Sequence, residues 1–208
     1  MLKVCVLGLG YVGLPVALNI SRKYNTIGFD ISLKRIRELN KKVDHNKEFK
    51  KSAFTKKKIK FSNKKKDLAD SNIYIICVPT PIKKNKLPNL SHIKNSIFII
   101  SKNIKVGDII ILESTVYPGV TEKFTKFLET KSGLKNNRDF YMCYSPERIN
   151  PGDNSKNLKN INKIFAINTH DKKIISRIKK VYKLVSKKLI FTKNIKEAET
   201  AKAIENTQ

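Results

Sequence analysis

Acidic residues are scarce in this chain: 17 Asp and Glu stand against 44 Lys and Arg over 208 residues, a formal charge of +27. That balance invites a nucleic-acid partner. Arginine-rich patches interleaved with aromatics, which read or stack on bases, are missing. Lys, Asn and Ile abound along the whole chain, as a biased base composition would produce. The charge therefore predicts nonspecific attraction to phosphates at low salt and no specific nucleic-acid partner. Cysteine is also sparse. Cys5, Cys77 and Cys143 have no C-x-x-C spacing and sit in or beside predicted strands, so neither a disulfide framework nor a zinc site is expected. Long hydrophobic runs are missing too, which excludes a transmembrane segment. The apolar first twenty residues resemble a signal peptide. Gly8, Gly10, Gly13 and Pro15 interrupt them, however, and no small-residue cleavage site follows. A cytoplasmic protein without a membrane partner or a bound metal is the expectation.

What is present is concentrated at the start. Leu2 to Leu7 is a short apolar run with the pattern of a strand buried on both faces. Gly8, Gly10 and Gly13 follow with G-x-G-x-x-G spacing, and Tyr11 to Lys23 reads as a helix. A second strand over Thr26 to Phe29 ends on Asp30. Each glycine has a distinct task in holding a dinucleotide. Gly8 permits the tight turn, Gly10 lets the backbone approach a pyrophosphate, and Gly13 lets the helix pack on the sheet. The helix N-terminus directs N–H groups and its positive dipole end at the phosphates. Asp30 can accept from both ribose hydroxyls and would repel a 2′-phosphate, so NAD is favoured over NADP. A glycine turn alone could be merely structural; here strand, helix and acid stand in the confirming order. Pro15 falls near the helix start, where a missing N–H costs least.

Further along, strand-like and helix-like segments alternate, which predicts an α/β fold: a Rossmann-like, doubly wound, mostly parallel sheet with helices on both faces. Ser32 caps a helix to Asn40, and a lysine-rich connection from Lys41 to Lys66 holds a short strand near Ile59–Phe61. His45 in that connection reads as solvent-facing. Lys64–Ala69 is expected as a short helix, Asn72–Val78 as a buried strand, Ser91–Asn103 as a helix and Asp108–Glu113 as a strand. A helix from Pro118 to about Thr130, a strand at Phe140–Tyr144, two short strands near Ile164–Ile167 and Leu189–Phe191, and a basic amphipathic helix near Lys172–Ser186 complete the pattern. A last helix begins near Ile195 and is still running at Gln208, which gives the impression of an incomplete chain.

The polar residues Thr80, Ser114, Thr115, Ser145 and Glu147 all follow strands. Taken singly each is an ordinary turn residue. Their common place at the carboxyl edge of the sheet, where ligands of open α/β folds lie, makes them candidates for site contacts. Glu147 is the best general base or water-orienting group among them. Lys202 and Asn206 are four apart and share one helix face, although a solvated surface lysine is the plain alternative for Lys202.

Five strings occur here in order: VCVLGLGYVGLPVA, CVPTP, ESTVYPGVTE, YSPERINPGD and EAETAKAIENTQ. Together they resemble the UDP-glucose/GDP-mannose dehydrogenase family, and ESTVYPG with YSPERINPGD resembles its branch that oxidises UDP-N-acetylhexosamines. The likeness covers the whole chain but only the first half of a family member. It implies that Gly8, Gly10, Tyr11, Val12 and Gly13 hold the NAD pyrophosphate, with Asp30 and Arg35 at the adenosine ribose. Val78, Pro79 and Thr80 would line the cofactor cleft, and Ser114 and Thr115 would lie near the nicotinamide ribose and catalytic water. Glu147 would be the acid–base glutamate, Lys202 the lysine that stabilises oxyanions, and Asn206 the asparagine that orders water and substrate. Arg148 stands where the UDP-glucose branch has an aromatic residue. The family oxidises the sugar C6 twice, through a cysteine thiohemiacetal and thioester, and reduces two NAD. Cys5, Cys77 and Cys143 do not match that cysteine, whose glycine-rich segment is not in this sequence.

The resemblance further implies an NAD-binding domain over residues 1–193 and the start of a central dimerisation helix over 194–208. It implies a UDP-sugar substrate whose site is incomplete here, and full-length relatives that are homodimers or larger. Apolar Ala198, Ala201 and Ile204 on the last helix are expected to be exposed. The alternative is a free-standing NAD-binding module without catalysis.

Overall fold

A computed structural model describes residues 1–55, 57–147 and 161–205. Eight strands form one sheet: β1 Lys3–Leu7, β2 Asn25–Phe29, β3 Ile59–Ser62, β4 Ile73–Ile76, β5 Asp108–Leu112, β6 Phe140–Tyr144, β7 Asn162–Ile167 and β8 Lys188–Thr192. Their order is β3-β2-β1-β4-β5-β6-β7-β8. The first six strands are mutually parallel in the doubly wound order, whereas β7 meets β6 antiparallel and β8 follows β7. The α/β, mostly parallel, Rossmann-like expectation holds.

Alternate residues of the strands face opposite layers, because successive side chains leave a strand on opposite sides. Val4, Val6, Ile73, Ile75, Ile109 and Ile111 face one layer, with helices α1 (Gly13–Ile20), α2 (Leu33–Asn40) and α5 (Lys172–Tyr182). Cys5, Leu7, Tyr74, Ile76, Ile110 and Leu112 face the other, with α3 (Ser91–Ser101), α4 (Val120–Ser132) and α6 (Ile195–Glu205). Double-sided burial explains why these strands read as continuous apolar runs. Each fully buried isoleucine contributes roughly 1.5–3 kcal/mol of transfer free energy.

Local chemistry sets most element ends. The Ser32 hydroxyl accepts from Arg35 N–H at 3.2 Å and caps α2. The Asp171 carboxylate accepts from Lys173 N–H at 2.7 Å and caps α5. Gly133, at φ +76°, ends α4 in the left-handed conformation. Two caps are supplied from afar: Glu199 on α6 accepts from Gly119 N–H at 2.6 Å and Thr121 N–H at 2.8 Å, at the start of α4. That carboxylate replaces the side-chain cap that Gly119 lacks and fastens α6 to the sheet.

Three expectations shift. The helix after the glycine loop begins at Gly13 rather than Tyr11, since residues 8–12 are spent on the turn. The short helix expected at Lys64–Ala69 is a 3₁₀ helix over Lys65–Asp70. Ala198 is buried in the core with Tyr144 and Ala166, because α6 lies back on the sheet, while Ala201 and Ile204 are exposed.

Gly13 is the tightest point of the fold. A Cβ there would lie 1.8 Å from the Gly8 carbonyl oxygen, a backbone atom that cannot rotate away. Gly13→Ala is therefore expected to destabilise the chain by about 3 kcal/mol, the upper end of overpacking, measured as a lower urea midpoint.

Candidate functional site

The sheet order reverses between β1 and β4, and the carboxyl ends there are level: Leu7 pairs with Phe29 on one side and Ile76 on the other. Leu112 in turn pairs with Ile76 and Tyr144. The turns after β1, β2, β4, β5 and β6 consequently open on one edge. Between them lies a cleft of about 650 Å³, within the size range of small-molecule sites.

Gly8, Gly10, Tyr11 and Val12 form one wall. Gly8 has φ +88°, a conformation that side chains disfavour, and its N–H donates to Phe29 O at 2.9 Å. Gly13 lies beneath, seated on Gly8. A Cβ on Gly10 would meet nothing within 4 Å, so the space over this residue is open to a ligand.

Asp30, at the end of β2, organises that wall. One carboxylate oxygen accepts from Leu9 N–H at 2.9 Å and the other from Ser32 N–H at 2.9 Å. Each oxygen keeps a second lone pair, so the carboxylate can bind hydroxyls as well as brace the loop. Arg35 supports the same loop: its Nε donates to Leu9 O at 2.9 Å, and its guanidinium pairs with the buried Asp44 at 2.8 Å. Arg35 Nη2 is buried without a hydrogen-bond partner. His45 is exposed, as expected, and borders the cleft beside Asn46, with its Nδ1 2.5 Å from the Glu38 carboxylate and 3.1 Å from Arg35 Nη1. A lone histidine in a lysine-rich connection carried no signal of this partnership.

The opposite wall contains Val78, Pro79, Thr80, Ser114, Thr115 and Glu147. The Thr80 hydroxyl donates to Thr115 O at 3.0 Å and the Ser114 hydroxyl to Val78 O at 2.6 Å. These bonds stitch the turns after β4 and β5 together. They commit both hydroxyl protons and leave acceptor lone pairs. Ser145, the other hydroxyl in this set, donates to Ile164 O at 2.9 Å, tying β6 to β7.

Behind Glu147 lies a buried charged cluster that sequence reading missed. Lys163 Nζ donates to Glu113 at 2.8 Å and to Glu147 at 3.3 Å, and the Tyr182 hydroxyl donates to Glu113 at 2.6 Å. Relative exposures are 1% for Lys163, 0% for Glu113 and Tyr182, and 9% for Glu147. Burial, reinforced by the Glu147 charge against the pull of Lys163, pushes the Glu113 carboxyl up to about 7. Burial alone would lower Lys163, but the carboxylates of Glu113 and Glu147 outweigh it and hold the ammonium charged. Burial pushes the Cys77 thiol, which also lines the cleft, well above its usual range. One signal was available: Lys163 alternates with the apolar Phe165 and Ile167, which puts it on a buried face.

Lys202 does not line this cleft; it is largely buried and pairs with Glu205 at 2.9 Å. Asn206 and Arg148 lie outside the described residues. No group of three or more metal-ligating side chains occurs among the described residues, and none of their helices is long and apolar enough to cross a membrane.

Residues 2–186 match the NAD binding domain of the UDP-glucose/GDP-mannose dehydrogenase family. The chain belongs to that family. It is 42% identical over 209 residues to the UDP-N-acetyl-D-glucosamine 6-dehydrogenase of Salmonella typhi, covering 99% of this chain and 49% of that protein. It is 41% identical over 210 residues to the enzyme of the same name from Pseudomonas aeruginosa, again over 49% of its length. Among solved structures it is similar to the UDP-D-ManNAc dehydrogenase of Pyrococcus horikoshii: TM-score 0.89, 34% identity, 99% of this chain and 50% of that one. The chain thus spans about half the length of the relatives it matches. The open space over Gly10, the strained turn at Gly8, the half-exposed Asp30 and the unpartnered Arg35 nitrogen suit the NAD that this domain binds.

Gly10→Ala separates cofactor contact from folding. The new methyl meets nothing within 4 Å, so the urea midpoint is expected to stay within experimental error. NAD affinity by calorimetry is expected to fall at least about tenfold, since the methyl occupies the space of a pyrophosphate oxygen.

Proposed function

We propose that this chain is the cofactor-holding half of a nucleotide-sugar 6-dehydrogenase acting on a UDP-N-acetylhexosamine. The observation that carries the reading is the cleft at the β1/β4 reversal, with the glycine loop and Asp30 on one wall and the Glu147 carboxylate on the other. The names of the relatives support the substrate class, as does the resemblance of the ESTVYPG and YSPERINPGD strings to that branch of the family. When bound, NAD supplies a hydride acceptor for a carbon–hydrogen bond.

In this reading Gly10, Tyr11 and Val12 offer backbone N–H groups to the pyrophosphate at the α1 N-terminus, while Gly8, whose own N–H is spent on Phe29 O, and Gly13 shape the turn that holds it. Asp30 accepts from the adenosine ribose, with Arg35 bracing the loop beneath it. Val78, Pro79 and Thr80 line the cleft, and Ser114 and Thr115 present acceptor groups near the nicotinamide ribose. Glu147 takes the proton from the sugar hydroxyl and later from the attacking water. Lys202 and Asn206 are assigned to the substrate side, to steady oxyanionic oxygen and to order water, and Arg148 to the N-acetylhexosamine branch.

A covalent route through a thiol needs a thiolate. Cys5, Cys77 and Cys143 are all buried, and burial raises each thiol above the usual range, so none supplies one. In this reading the thiolate comes from none of these three cysteines; the chain spans 49% of the length of its relative.

Two measurements test this. The purified chain is expected to bind NAD weakly and to prefer it to NADP by about tenfold or more, because Asp30 repels a 2′-phosphate; Asp30→Ala should abolish binding. Equal affinity for NADP would refute the assignment of Asp30. The same preparation with UDP-N-acetylglucosamine and NAD is expected to form no NADH above background, and steady turnover would overturn the division of labour.

A further inference from the structure

We propose that Lys163 is a positioning residue that keeps the Glu147 carboxylate ionised and fixed at the cleft wall, with Glu113 and Tyr182 holding Lys163 in turn. This role rests on the reading of Glu147 as the acid–base group, whereas its test does not depend on turnover. Glu113 and Glu147 line the cleft but Lys163 does not, so the ammonium acts through its neighbours.

Lys163 is out of place by composition and by cost. Most lysines here are exposed, yet this one is 1% exposed at the start of β7, on the face that carries Phe165 and Ile167. A charge so placed is expensive unless paired, and an all-apolar replacement of Lys163 and its acidic partners together would serve stability equally well or better. A Lys163–Glu113 pair would by itself be neutral and satisfied, with Tyr182 closing the second Glu113 oxygen at 2.6 Å. The same ammonium nevertheless reaches Glu147 at 3.3 Å. Lys163 thus contacts both carboxylates, and its charge relieves the repulsion between them.

The antiparallel entry of β7 makes this contact possible. Cys143 pairs with Ile167 and Tyr144 with Ala166, so the amino end of β7 lies at the carboxyl end of β6. Lys163 thereby reaches the residues that follow β5 and β6. Among the described residues, the titratable groups packed around the cluster are Cys77 after β4, Glu113 after β5, Cys143 on β6, Lys163 on β7 and Tyr182 on α5. The Lys163 ammonium also lies 5.6 Å from the centre of the Tyr182 ring, a second favourable contact for the charge.

The test is a carboxyl titration of the 208-residue chain labelled with glutamate carrying ¹³C at the side-chain carboxyl, with the Glu147 resonance assigned by its disappearance in Glu147→Gln. In Lys163→Met the Glu147 midpoint is expected to rise by more than one pH unit, more than tenfold in proton affinity. In Glu113→Gln, which frees Lys163 for Glu147 and removes a like charge, it is expected to fall. An unchanged midpoint in a folded Lys163→Met chain would overturn the proposal, as would an unchanged or raised midpoint in Glu113→Gln. The second variant decides the matter if the first does not fold. A role confined to packing would destabilise the chain without moving Glu147. NAD affinity, read in parallel, is expected to be equal in the parent and Lys163→Met. Failure of the parent to bind NAD would count against the cofactor reading and leave the Glu147 titration to judge Lys163.

Discussion

The contact between the amino end of α1 and the carbonyl of Gly8 sets the rest of the cofactor wall. Because Gly13 has no Cβ, the helix settles against the turn at a distance no other residue allows. The loop between them is thereby closed tightly enough for Asp30 to hold Leu9 from the next strand and for Arg35 to hold it from α2. Three elements converge on one backbone segment: the Gly8 and Leu9 N–H groups are spent on Phe29 and Asp30, and the backbone of the residues that follow is left to face the cleft. That arrangement suits a phosphate ligand, which backbone donors and a helix terminus recognise without a charged residue.

The two walls of the cleft are built on different principles. The glycine side is a backbone surface with few side chains to interfere, whereas the opposite side is a set of hydroxyls and carboxylates already committed to each other. Thr80 and Ser114 spend their protons on neighbouring carbonyls, and Glu147 shares Lys163 with Glu113. Committed hydrogen bonds hold these groups in place before any ligand arrives, which reduces the ordering cost of binding and of proton transfer. Cofactor affinity and proton chemistry can therefore be altered separately.

Much of the fold could be read from local pattern. The apolar runs at Lys3–Leu7, Asp108–Leu112 and Phe140–Tyr144 became strands at nearly the expected boundaries, because burial on both faces demands uninterrupted apolar residues. Ser32 capped α2 as its side chain requires. The misreadings arose where a residue's surroundings come from distant chain. Ala198 is buried because Glu199 fastens α6 to the start of α4, nearly eighty residues earlier.

What the chain determined by itself is the cofactor wall: glycine spacing, the following helix and the acid after the second strand are features of the first thirty-five residues, and steric freedom at glycine is a local property. What the tertiary structure alone decided is the company Glu147 keeps. Lys163 stands fifty positions from Glu113 and sixteen from Glu147, and only the reversal of β7 against β6 brings its ammonium between them. Alternation along a strand shows that a lysine is buried, but the choice of parallel or antiparallel neighbour is made by long-range pairing. That choice is what delivers the charge to the cleft.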